Sequence, residues 1–327
     1  MSNKNAKIEY ESGVTPFLMG ALTDSGDRTL FTSEADLFSA TEGNAPDVRP
    51  DGILTGGDVI PAVSGTNDLV DVAALTCYLA GVLTSVAADT DVAITRPATA
   101  VSKVNSITVN SSGAVAVVAG TDGGTTAFSE TRGAAGGPPY IPVGSIELAQ
   151  VRVASDTAAA ITAAQIFKVV GTHREMSTWP NHVINYSRGT VTFNSPLSAS
   201  HTGDLAKGVY ASYAEPIFVE QSISKDFVPA ETTHSGSSEE YYQQTIGNAA
   251  SSLGQSSFVA LLSDGITDDI LKQRNKKIWL RFFQDKYKSA HILTLGLLGV
   301  SRTFPVNNRP SVSCTITPEF PSEDRDN

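Results

Sequence analysis

The chain has 327 residues, 23 Lys and Arg against 34 Asp and Glu, a formal net charge of −11, and only 17% charged side chains. Hydrophobic residues reach 41% without any run of the roughly 20 apolar positions that a bilayer-spanning helix needs, which argues against an integral membrane protein. At roughly 100 to 200 residues per domain the length fits two domains, and the acid excess argues against a clamp for nucleic acid, whose phosphates are bound mainly by Lys and Arg.

Met1 to Lys7 is not followed by an apolar h-region, so no secretory signal is expected and synthesis should end in the cytoplasm. The low charge is made up by Ala, Val, Thr, Ser and Gly, a composition that suits short strands and tight turns. The turn Asp24-Ser25-Gly26-Asp27 leads into an alternating strand at Arg28 to Thr32. Glu42 to Gly52 holds two prolines and two glycines, and it reads as a linker because a continuous ladder there is implausible.

From Ile53 to Val170 charges become sparse and short strand candidates repeat: Val70 to Val72, Val92 to Ile94 and Ile146 to Val153. Ile107 to Val109 and Val115 to Val118 flank Asn110-Ser111-Ser112-Gly113, which predicts a β-hairpin. Gly133 to Pro139 reads as a loop, and Ala158 to Ile166 as one or two helical turns. After Gly171 aromatic and charged residues return. A strand is expected at Thr190 to Phe193, a strand pair broken by Pro216 within Tyr210 to Ile223, and a polar loop at Thr232 to Ser238.

Ser256 to Arg274 is the one helical region: Phe258, Leu261 and Leu262 share a face, Gly265 ends a first piece, and Thr267 caps a second that begins with Asp268 and Asp269. Three closing strands follow: Ile278 to Phe283, a stretch within His291 to Phe304, and Ser311 to Thr317. Val312, Cys314 and Ile316 then share one face, and Ser311, Ser313, Thr315 and Thr317 the other. The charged tail Pro318 to Asn327 reads as frayed.

Motifs that carry chemistry are missing. There is no GxxxxGK[ST], and Gly120 to Gly124 lacks the GxGxxG spacing and an adequate following helix. His173, His182, His201, His234 and His291 are scattered, with no HExxH. His173-Arg174-Glu175 matches half of a zinc deaminase signature, but the PCxxC half is absent. No GxSxG elbow occurs. Glu239-Glu240 and Asp268-Asp269 are adjacent pairs rather than a spaced acid and base, and Asp89-Thr90-Asp91 lacks the rest of a calcium loop. Cys77 and Cys314 stand far apart and read as buried thiols. No catalytic, cofactor or metal site is expected. In Ile278 to Phe283 both faces are large: Ile278, Leu280 and Phe282 on one, Trp279, Arg281 and Phe283 on the other. Such a strand is either central in a sandwich or covered by another subunit.

The run into Ser256 to Leu262, the strand Lys277 to Phe283, the stretch Ala290 to Gly296 and the closing Ser311 to Phe320 together resemble the major tail tube proteins of long-tailed, non-contractile bacteriophages of the Chi-like group. The resemblance covers about half the chain and implies a mainly β fold: a β-sandwich tube domain with one flanking helix over 171–327, joined by 1–52, and a second, small, outward-facing β module over 53–170. It implies a structural virion protein, made in the host cytoplasm and resident in the tail, whose six-membered rings stack into a tube that conducts DNA without binding it tightly. Partners would be other copies, the tape measure and the terminator, with no membrane. On this reading Ile278, Trp279, Leu280, Phe282, Phe283, Val312, Cys314 and Ile316 are the expected assembly interface. The alternative reading is a decoration or fibre-type protein that binds a capsid or host surface.

Overall fold

The computed structural model describes residues 5–168, 181–199, 201–203, 205–241 and 244–326; His173, the His173-Arg174-Glu175 run and the composition shift at Gly171 lie outside them. The fold is mainly β, built from antiparallel sheets. It divides into two units, the first made of Met1–Pro16, Leu37–Ala45 and Tyr213–Asn327, the second of Phe17–Asp36 and Pro46–Ser212. The segment 53–170 falls inside the second unit, which extends beyond it on both sides, and residues 1–52 are shared between the two. Long-range pairing, which composition does not reveal, sets these limits: Leu30–Thr32 pairs with Thr190–Phe193, and Asp47–Pro50 with the start of Val209–Gln221.

In the first unit we label the strands β1 (Lys7–Ala21), β2 (Val209–Gln221), β3 (Ser224–Val228), β4 (Thr232–Tyr241), β5 (Gln244–Leu253), β6 (Ser256–Leu261), β7 (Lys277–Phe283), β8 (His291–Thr303), β9 (Ser311–Pro318) and β10 (Glu323–Arg325), with helix α1 (Asp269–Lys272); β1 and β2 also carry residues of the second unit. The sheet runs β3-β6-β9-β8-β7-β1-β2, with β10 on β8. Its core joins Ile8, Tyr10, Phe258, Ala260, Ile278, Leu280, Leu298, Val312, Cys314 and Ile316 with Leu262 and Ile270. The alternation expected in β9 is present, with Val312, Cys314 and Ile316 buried and Ser313, Thr315 and Thr317 exposed.

Five expectations for this unit are corrected. Ser256 to Leu261 is a strand: Ser256, Phe258 and Ala260 are buried in alternation, and Phe258 stands opposite Cys314 of β9, so pairing overrides the helical spacing. The helix that does form has four residues, with Asp268 rather than Thr267 at its N-cap position. Thr232 to Ser238 is not a loop but the first strand of a hairpin, and β2 continues through Pro216. The ladder on one side of β2 ends at Ser212; beyond it the Ser39 N–H donates to the Ala214 carbonyl at 2.7 Å, and among the described residues no strand pairs there, so a residue without an N–H is tolerated at Pro216. The tail also contributes: Arg325, Asp324 and Glu323 of β10 pair with His291, Ile292 and Leu293.

Among the described residues the second unit holds four small sheets. Its core gathers Ile53, Val70, Val72, Cys77, Ile107, Val109, Leu148 and Val151. The predicted hairpin closes Val109 against Val115, with Gly113 at φ +79. Within the segment read as a linker, Asp47–Pro50 is a strand; it is the edge of its sheet, so Pro50 removes no needed donor. The helical turns expected at Ala158 to Ile166 reduce to one 3₁₀ turn, Ala163–Gln165. A long strand-free stretch between Val115–Ala119 and Ile146–Val153 is pinned through Arg132, whose Nη2 donates to Glu147 at 2.5 Å and Nη1 to the Pro139 carbonyl at 2.5 Å. Glu147 is buried and also accepts from Ser106 Oγ at 2.6 Å and Gln150 Nε2 at 3.2 Å.

Candidate assembly surface

The strand expected to face another subunit is central in its own. Ile278, Leu280, Val312, Cys314 and Ile316 are at most 1% exposed and belong to one core. Trp279 on the opposite face is fully buried, its indole N–H donating to the Phe38 carbonyl at 2.7 Å. Its backbone N–H donates to Glu11 Oε2 at 3.0 Å, and Ser39 Oγ donates to Glu11 Oε1 at 2.5 Å. Burial pushes the Glu11 carboxyl up from its ordinary value, against those hydrogen bonds. Phe283 is buried against His291, with ring centroids 4.9 Å apart, and Phe282 is half-buried and stacked on Phe227 at 4.3 Å. The eight residues are therefore held in the fold of one copy, and the interface assigned to them is withdrawn. Two apolar faces here mark a strand covered on both sides by its own chain. The same burial raises the Cys314 thiol to about 12, and both cysteines are free and buried.

What the unit leaves open lies elsewhere. β4 and β5 pair through ten positions, from Thr232 opposite Leu253 to Tyr241 opposite Gln244, and among the described residues neither strand joins another sheet. At the base of this hairpin Thr232, Thr233, His234, Ser235, Ala250, Ser251, Ser252 and Leu253 are all exposed, so side chains of both faces meet solvent. The sheet beside it has an open face as well: Ser313, Thr315 and Thr317 of β9, with Leu297, Ser301 and Thr303 of β8. That face carries hydroxyl and aliphatic groups. A groove of about 590 Å³ lies where the sheet does not close, lined by Lys7, Ile8, Glu220, Lys225, Phe227 and Phe282. Polar-loop composition hid the hairpin from sequence reading; the signal available was its β-branched start at Thr232-Thr233 and the proline-free length between Pro229 and Gly254.

The residues considered for chemistry do not converge. His182 is packed on Phe193 at 5.4 Å, His201 Nε2 lies 3.0 Å from the Ser145 carbonyl, His234 is exposed on β4, and His291 is in the first unit's sheet. Burial lowers the pKa of His182, His201 and His291. Asp268 accepts backbone N–H groups of Ser263 and Gly265 at 2.8 and 2.9 Å, and Asp269 pairs with Lys272 at 2.6 Å. Glu239 and Glu240 sit on β4 opposite Ile246 and Thr245. Gly120 to Gly124 contains no helix, and Asp91, at φ +58, receives a hydrogen bond from Ser64 at 2.6 Å. Among the described residues no group of three His, Cys, Asp or Glu is placed to hold a metal ion, and no helix is long and apolar enough to cross a membrane. No protein-family model matches the chain, and no curated protein does.

Proposed function

We propose that this chain is a structural subunit of a phage tail tube, six copies forming a ring and rings stacking into a hollow conduit for DNA. The observation that carries this reading is the hairpin β4–β5, ten pairs long and, among the described residues, paired with no other strand. An isolated two-stranded ribbon is marginal in water, and unpaired strand edges are hazards in a monomer. A neighbouring copy that covers the ribbon turns both into joints. Contacts between different surfaces close into a ring where the rotation permits and otherwise propagate into a filament, and the proposed tube uses both. The role is structural rather than catalytic. The net charge of −11 suits a passage that must not retain a polyanion. After synthesis in the host cytoplasm the subunit would reside in the virion tail, in contact with the tape measure and terminator proteins. Negative-stain electron microscopy of the purified full-length chain tests this. Hollow, regularly striated tubes are expected, and a protein that stays monomeric at high concentration refutes it.

A further inference from the structure

The hairpin β4–β5 continues two strands of the first unit's sheet. Val228 of β3 stands opposite Ser257 of β6, the Gly254 N–H donates to the Glu231 carbonyl at 2.9 Å, and Thr232 of β4 stands opposite Leu253 of β5, so one register runs from the sheet into the ribbon. Ser256 Oγ adds a hydrogen bond to the Val228 carbonyl at 2.8 Å. Past Glu231 the ten pairs of the ribbon span ~34 Å. A two-stranded ribbon has little stability of its own, so its direction depends on what holds its root.

That root is gripped by the C-terminal tail. Ala230, between the two ladders, is fully buried, and because the neighbouring Glu231 bonds to the partner strand, the N–H and carbonyl of Ala230 face away from it. Ser322 takes both: the Ala230 N–H donates to Ser322 Oγ at 2.9 Å, and the Ser322 N–H donates to the Ala230 carbonyl at 2.7 Å. The Ser322 hydroxyl also lies 2.7 Å from Oγ1 of Thr294, a fully buried residue of β8. Ser322 is itself anchored on either side. Before it, the Glu319 N–H donates to the Leu295 carbonyl at 3.2 Å; after it, β10 pairs with His291, Ile292 and Leu293.

We infer that the tail is a clasp with Ser322 as its positioning residue: it fixes the direction in which the hairpin leaves the sheet, and without it the ribbon frays from its root. The inference concerns a single copy and stands apart from the tube reading. One serine satisfies both backbone groups of a buried residue, and such groups left unpaired cost more than a hydrogen bond contributes. The grip is on the main chain, and the gripping residue is held to β8 by strand pairing, so the contact transmits a direction as well as an attachment. Ser322 is 92 positions from Ala230, which makes the order of the hairpin depend on the last residues of the chain. A ribbon fixed in this way meets any partner already ordered, and part of the entropic cost of association is removed.

Hydrogen exchange of the full-length chain, read by mass spectrometry below any concentration at which it associates, tests the clasp. Ser322→Ala removes the acceptor of the Ala230 N–H and should speed exchange across residues 232–253 about tenfold or more, while β9 exchanges as in the wild type and Cys314 stays protected from alkylation. Ser322→Thr keeps the hydroxyl and should restore slow exchange, and Ser322→Pro, which removes the N–H as well, should exceed the alanine variant. Hairpin exchange unchanged in both the alanine and proline variants refutes the clasp, as does a wild-type hairpin that exchanges like an unfolded chain. A loss of protection that spreads equally to β9 also refutes it, because Ser322 would then support the whole sheet. None of these results decides tube formation, which the wild type answers separately by electron microscopy.

Discussion

Asp51 supplies a stability test with a defined sign. It is 2% exposed, its carboxylate accepts the Ala80 N–H at 2.8 Å, and its own N–H donates to the Gly208 carbonyl at 2.8 Å. Ala80 and Gly81 both have positive φ, +50 and +73, so one carboxyl fixes a strained turn of the second unit. Burial, opposed by that hydrogen bond and by the Lys207 charge, pushes the Asp51 pKa up from 3.8 to about 7. The native state therefore holds a proton that the unfolded chain releases near pH 4. The stabilisation is fully present below about pH 4 and is lost as pH rises through about 7. A displacement of this size corresponds to at most ~4 kcal/mol. Asp51→Asn keeps an oxygen for Ala80 and cannot ionise, so between pH 4 and 8 the wild type should lose stability relative to the variant by up to that amount. Cys77 is the reporter, since it is buried in this unit and Cys314 in the other. Pulsed alkylation in urea, read for each cysteine by mass spectrometry, follows the two units separately. Other acids with shifted pKa cancel in the difference. Parallel curves for wild type and variant at Cys77 would refute the reasoning.

Val312 is fully buried in the first unit's core, so Val312→Asp should unfold that unit and expose Cys314 to alkylation, whereas Ser313→Asp on the open face should leave Cys314 protected. Glu147→Ala leaves the Arg132 guanidinium, whose side chain is 15% exposed, without its carboxylate, and should cost the second unit ~3–5 kcal/mol in the Cys77 measurement. Within the tube proposal, assembled protein should show no tight binding of duplex DNA in a filter assay at low salt; strong binding that falls steeply with salt would mark a basic wall and count against a net negative lumen.

In β9 the period reports the face directly, with buried and exposed residues alternating; the Ile107 to Val118 hairpin and the strand Ile146–Val153 stand where expected, although Ile146–Val153 is buried on both faces. Ser256 to Leu262 was misread because Phe258, Leu261 and Leu262 satisfy helical spacing, while the residue that decides the matter, Cys314 opposite Phe258, is 56 positions away. The same distance effect hid the strand at Asp47–Pro50, whose partner is Val209–Ser212. For the candidate surface the failure was one of sign. A strand apolar on both faces is either central in its own sheet or covered by a neighbour, and the second was assigned to it; Phe38 and Glu11, from segments far from it in sequence, already bond to Trp279. The hairpin was missed for the converse reason: its Ser, Thr and Gly content resembles a loop, and only backbone pairing distinguishes the two.

This distribution of chemistry bears on how such a subunit could wait before it assembles. The large apolar side chains of β7 and β9 are consumed within one copy, so the surface left for association offers hydroxyl groups, backbone edges, a few charges and the exposed side chains of Ile266, Phe304 and Val306. Contacts of that kind are individually weak, because exposed charge pairs contribute little and hydrogen bonds to a partner replace hydrogen bonds to water. Repeated around the proposed ring they would act together, since each contact made raises the effective concentration of the next. A net charge of −11 opposes casual encounters between free copies. The proposed polymer would then grow from a preformed ring far more readily than it starts, with nucleation rather than affinity deciding where a tube begins.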